Sequence, residues 1–180
     1  MYKGRFQDND KELSKFPMEH FYKAGFRQGM TLAIRKEFID RFLKYWKEEY
    51  NLLPHDALIE CLAGLLEVGY NLNECVAVHN RHESNASGKA VVTLKSPKKL
   101  HIQELYAKYQ GYYEIVYKVL QDNHSSLALE EQKYYEFTKR RVENAQSGNA
   151  WKVIVQQFKD WRNYEHRSSQ IRDVLFSFKK

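Results

Sequence analysis

The chain has 180 residues, a formal net charge of +6, and 43% hydrophobic, 14% aromatic and 29% charged side chains. That apolar content excludes an intrinsically disordered chain, and the length fits one domain, residues 1–180, that buries a core without metals or disulfides. No apolar run approaches the ~20 residues that span a bilayer, and the start Met1-Tyr2-Lys3-Gly4-Arg5 lacks a secretory apolar stretch. A cytoplasmic protein without membrane contact is therefore expected, with Cys61 and Cys75 reduced and acting as small hydrophobes.

Three prolines and eight glycines leave long uninterrupted stretches, which favours a mainly α fold. The expected architecture is a compact bundle of five to six helices with one β-hairpin at about 74–95. Residues 1–16 read as a flexible lead-in and 17–70 as helical. Pro17, Pro54 and Pro97 each suit a first helical position, where a fixed φ and a missing donor do no harm. Ser96 is the expected N-cap of the third segment. From Met18 to Tyr50 apolar residues recur every fourth position. A step of four drifts by about 40° on an ideal helix, so this stretch breaks near Gly25 and Gly29 or turns different faces inward. Segment 57–68 reads as a short amphipathic helix with Leu58, Leu62, Leu65 and Leu66 inward and Gly69 capping its end.

The β signal comes next. Cys75-Val76-Ala77-Val78 and Ala90-Val91-Val92-Thr93-Leu94 flank a polar stretch ending in Ser87-Gly88, the pattern of a hairpin with a long tip. Asn80, Arg81, His82 and Lys89 are candidate contacts on that tip. The order of helix, turn, helix and hairpin is that of a winged helix-turn-helix. However, segment 57–68 holds Glu60 and Glu67 and no Lys or Arg, which argues against a helix that reads base edges.

Segment 97–120 is the cleanest amphipathic helix. Ile102, Leu105, Tyr106, Tyr109, Tyr113, Val116, Tyr117 and Leu120 are expected inward, with Lys99, Gln103, Lys108, Glu114 and Gln121 outward. A helix over 127–145 follows, broken by Ser147-Gly148, with Asn149 available to cap one last helix. That helix carries Trp151, Ile154, Val155, Phe158, Trp161, Ile171, Val174 and Leu175.

Charge is uneven along the chain. Residues 51–94 hold two basic and five acidic side chains, and residues 95–180 hold sixteen and ten. In that basic half, Lys139, Arg140 and Arg141 follow Tyr134 and Tyr135, and Lys152, Lys159, Arg162 and Arg167 recur further on. Cations beside aromatic rings suit phosphate contact with base stacking. The expected function is thus a small non-enzymatic accessory protein that binds a nucleic-acid backbone through this surface. The alternative is a protein–protein adaptor or inhibitor using exposed aromatics and the hairpin tip.

Evidence for catalysis is thin. His79, His82 and Glu83 read H-x-x-H-E, which matches no zinc-protease spacing, and no Cys/His set has zinc-finger spacing. No glycine pattern cradles phosphate, and no nucleophile elbow is present, so no metal and no cofactor are expected. Arg162-Asn163-Tyr164-Glu165-His166 looks like the Arg-Asn…His signature of the HEPN ribonucleases, with fewer residues between Arg and His than that family has. A metal-independent ribonuclease is on that ground the remote alternative.

Overall fold

The computed structural model describes residues 13–16, 31–72, 92–164 and 166–179. The chain is mainly helical, and it divides into two compact units, Met1–Arg41 with Pro54–Lys89 and Phe42–Leu53 with Ala90–Lys180. Among the described residues no helix is long and apolar enough to cross a membrane.

The first unit contains a short antiparallel ladder that the sequence did not announce. Strand β1, Leu13–Lys15, pairs with β2, Tyr70–Leu72, with Leu13 opposite Leu72 and Lys15 opposite Tyr70. Phe16 extends the ladder by donating its amide to the Gly69 carbonyl at 2.9 Å. Part of the lead-in is therefore held as strand. Helix α2, His55–Leu65, is buried at every residue from Leu58 to Leu65, so the amphipathic reading was too narrow. A helix apolar around most of its circumference buries all of it.

Pro54 sits one position earlier than expected, at the N-cap of α2. The C-terminus is closed by Glu67, not Gly69. Glu67 has φ +56°, its amide donates to Gly64, and the Val68 amide donates to Ala63. This 5→2 and 6→1 pair satisfies two carbonyls that the helix end leaves open.

Helix α1 covers only Lys36–Leu43 of the long stripe, followed by turns and a 3-10 turn at Glu48–Tyr50. Pro17, Gly25 and Gly29 lie outside the described residues, as does most of the expected hairpin, including Cys75, His79, Glu83 and the tip residues Asn80, Arg81, His82 and Lys89. The described end of that hairpin is not strand: Thr93–Ser96 form a turn in which the Ser96 amide donates to the Thr93 carbonyl. Ser96 does not cap the next helix. Its hydroxyl accepts from the Thr93 amide, and Pro97 takes the N-cap position.

The second unit begins its helical part with α3, Lys98–Glu104, a π-helical turn at Leu105–Gln110, and α4, Gly111–Asp122. One expectation fails here: Glu114, expected outward, is buried at 3% exposure, where it accepts from Tyr50 and Lys47, while Tyr113, Val116 and Leu120 are buried as expected. Tyr50 is fully buried against this wide turn, its ring 5.4 Å from that of Tyr106.

Helix α5, Ala128–Gln146, lies along α4, with Tyr113 stacked on Tyr134 and Tyr117 on Tyr135. It ends one residue before Ser147-Gly148, where Gly148 has φ +68°. The single last helix expected from the sequence is two: α6, Ala150–Lys159, and α7, Arg167–Ser177, separated by a 3-10 turn at Trp161–Asn163.

Candidate docking groove between the last two helices

Helix α6 starts where the sequence places it, because the Asn149 side-chain oxygen accepts from the amides of Trp151 and Lys152 at 3.0 and 3.4 Å. That start fixes its phase. Val153 and Gln156 turn inward, and Trp151, Val155 and Phe158 turn outward, Trp151 at 71% and Phe158 at 80% exposure. Helix α7 repeats the pattern. Asp173, Phe176 and Ser177 are buried, while Ile171, Leu175 and Phe178 form an exposed stripe at four-three spacing.

Between the two helices lies an open groove of about 660 Å3 lined by Ile154, Gln157, Phe158, Trp161, Gln170 and Val174, with Phe158 shared between the exposed stripe of α6 and the groove. Two hydrogen bonds tie its walls together. Gln157 donates to the Gln170 carbonyl at 2.6 Å, and Gln170 donates to the Trp161 carbonyl at 3.3 Å.

Behind the groove a buried ion pair positions α7. Arg141 is 5% exposed and donates twice to Asp173, from Nε at 2.8 Å and from Nη2 at 3.0 Å. The Tyr164 hydroxyl adds a third bond to the same carboxylate at 3.1 Å, and His101 Nε2 lies 3.2 Å from its other oxygen. The guanidinium also lies over the rings of Tyr164, Tyr109 and Phe137 at 4.7 to 5.7 Å. Burial pushes the Asp173 pKa up, but Arg141 and His101 outweigh it and hold the carboxyl below its usual range. Burial likewise opposes the charge on Arg141, and Asp173 more than restores it, so its pKa is raised. Burial also pushes the Tyr164 phenol up, with the Asp173 charge adding to it.

These placements sort the expected phosphate contacts. Lys139, Lys152, Lys159, Arg162 and Arg167 are exposed. Arg141 is not available to a ligand, because it is buried and paired with Asp173 inside the protein. Arg140 is ion-paired with Asp160 at 3.1 Å. Tyr134 and Tyr135 each have a ring face stacked, at 5.4 and 6.0 Å, on Tyr113 and Tyr117, which leaves less of them for a base. Arg162 lies over the Trp161 ring at 5.2 Å in the 3-10 turn, and His166 is the extended residue before α7. Arg162 and His166 thus do not share one helix face. Among the described residues no cluster of His, Cys, Asp and Glu is arranged to hold a metal.

Two exposed arginines stand next to the lining, Arg162 beside Trp161 in the 3-10 turn and Arg167 one turn before Gln170 on α7, while the 100° step per residue turns Lys152 and Lys159 to the side of α6 away from Ile154 and Gln157. The described carboxylates of residues 150–179 are Asp160 and Asp173, and both are paired, with Arg140 and Arg141.

Sequence periodicity picks out most of the apolar residues of this groove but does not say which of them are covered. A signal was present: α6 carries apolar residues on both faces, Val153 inward and Trp151, Val155 and Phe158 outward, and such a helix needs two neighbours. No family model, no curated protein and no solved structure matches the chain.

Proposed function

We propose that the chain is a protein-binding module, an adaptor or inhibitor, whose docking surface is the groove between α6 and α7. The observation that carries this reading is an open groove whose lining includes the exposed Phe158 and Trp161, on a pair of helices that also leave Trp151, Ile171 and Leu175 in water. Contiguous apolar patches rimmed by polar groups mark interaction sites, and Trp is enriched among the residues that dominate binding energy.

Nucleic acid is the second reading, favoured by the Arg162 guanidinium over the exposed Trp161 ring, a pairing that suits single strands. It ranks lower because the centre of the groove is apolar and the Lys139-Arg140-Arg141 cluster is largely committed within the protein. The adaptor reading includes a cytoplasmic setting, with Asn80, Arg81, His82 and Lys89 offering a second contact.

A photo-reactive amino acid placed at position 158, with a control at exposed position 121 of α4, tests the reading in cells. Covalent protein adducts are expected at 158, unchanged by nuclease and absent at 121. Adducts that vanish with nuclease, or a silent position 158, overturn it.

A further inference from the structure

We infer that the occupant of the groove is an acidic amphipathic helix of a partner protein. The inference rests on the protein-binding reading above and adds the partner's shape and charge. Helix α6 has ten residues, about 15 Å at 1.5 Å per residue. Two such helices side by side offer a trough that one further helix fills, as amphipathic helices do in apolar grooves with anchors at i, i+3 or i+4, and i+7. The apolar lining residues themselves, Ile154, Phe158 and Trp161 on one wall, stand at i, i+4 and i+7, which matches that repeat from the other side.

Charge selects among helices. Arg162 and Arg167 are exposed next to the lining residues Trp161 and Gln170, and the described carboxylates of the same elements are already paired. A partner helix with Glu or Asp flanking its apolar stripe meets opposite charge along the rim, and a basic one meets like charge. The same argument disfavours a second copy of this chain. A two-fold interface on this face would set these two arginines against their own copies, in a protein whose net charge is already +6.

The test uses the full chain and two helical peptides of about 15 residues, sized to the groove. Both carry Leu at i, i+4 and i+7; one has Glu on the remaining faces, the other Lys. Fluorescence anisotropy at about 0.1 M salt should show the Glu peptide binding at least about tenfold more tightly than the Lys peptide. Phe158→Ser with Trp161→Ser should weaken the Glu peptide about 30-fold, the size of one interface hot spot. Arg162→Glu with Arg167→Glu should reverse the preference. All these positions are exposed, and an unchanged far-UV circular dichroism spectrum confirms that the variants fold.

Equal binding of the two peptides overturns the acidic-helix inference and leaves a protein-binding groove standing. Binding of neither, with a dT oligonucleotide bound in their place, overturns the inference and the protein-binding reading together, as does preference for phosphatidylserine vesicles. Binding of none of these probes overturns the inference alone.

Discussion

Helix α2 ends on a left-handed residue with a side chain, Glu67 at φ +56°. An L-residue with a Cβ pays roughly 1–2 kcal/mol there, and the geometry persists because the Glu67 and Val68 amides close the helix end. Glu67 gains little elsewhere. Its carboxylate is 3.8 Å from Lys15, both side chains are more than 60% exposed, and such pairs contribute between nothing and about 1 kcal/mol. Glu67→Gly should therefore raise stability by about 1 kcal/mol, read as a higher midpoint in urea with an unchanged slope. Gly148, at φ +68° with open space within 4 Å of the point a Cβ would occupy, supplies the opposite control. Gly148→Ala should lower the midpoint through backbone strain alone, since there is nothing to clash with. If both substitutions move the midpoint the same way, the left-handed account of these helix ends is wrong. Nothing in the sequence marks Glu67 for this role, because a helix end closed without glycine has the composition of any polar turn. Gly69, the residue that composition favours, sits instead where a Cβ would run into Phe16 and Ala63.

The docking of residues 44–50 on α4 depends on carboxylates of that helix. Glu114 accepts from Tyr50 at 2.5 Å, Lys47 at 2.9 Å and Lys118 at 2.7 Å, and Asp122 accepts from Lys44 and Tyr45. Gly111 makes room for the tyrosine, since a Cβ there would stand 2.8 Å from the Tyr50 ring. Burial pushes the Glu114 carboxyl up, but the hydrogen bonds from Lys118, Lys47 and Tyr50 prevail and hold it at about 2, against an ordinary 4.5. A pKa lower in the folded than in the unfolded chain gives stability that is complete above the unfolded value and is lost as pH falls through the folded one. The contribution is of the order of 3 kcal/mol, at about 1.4 kcal/mol per pH unit. Stability should therefore fall between pH 4.5 and about pH 2, and Glu114→Gln should flatten that limb while lowering stability at neutral pH. An acid limb identical in the variant would remove Glu114 from the account. Elements were legible where their chemistry is local. Helix α5 lies within a residue of its expected span because Gly148 stops it, and Asn149 caps α6 as its sequence position suggests. The π turn was not legible, since the stripe from Ile102 to Leu120 fits an ideal helix throughout, and neither was the burial of Glu114, whose partners Lys47 and Tyr50 lie far earlier in the chain. The split between α6 and α7 was also hidden, because it uses neither proline nor glycine.

At the scale of the molecule, hydrophobic periodicity reveals that a face is apolar but not what covers it. Trp151, Phe158 and Trp161 were legible as a stripe, and their exposure was not. The cations were legible as a surplus, but Arg141 was not legible as an interior group, because Asp173 lies 32 residues further along the chain. A groove with an apolar floor and two arginines, Arg162 and Arg167, at its edge divides the work between two rate constants. Rim charges act at a distance and steer encounter, while buried apolar contacts set how long the complex lasts. With the Glu-faced peptide, raising salt from about 0.05 to about 1 M shortens the screening length to about 3 Å, so the association rate should fall about tenfold or more while dissociation changes little. Phe158→Ser should do the reverse, accelerating dissociation at nearly constant association. A phosphate-bound single strand would behave differently, its equilibrium constant falling log-linearly with a slope of about −0.7 per phosphate engaged. Stopped-flow measurement on wild type and variant separates the cases. Salt acting on dissociation, or Phe158→Ser acting on association, would mean that the rim and the floor do not have the roles their positions assign them.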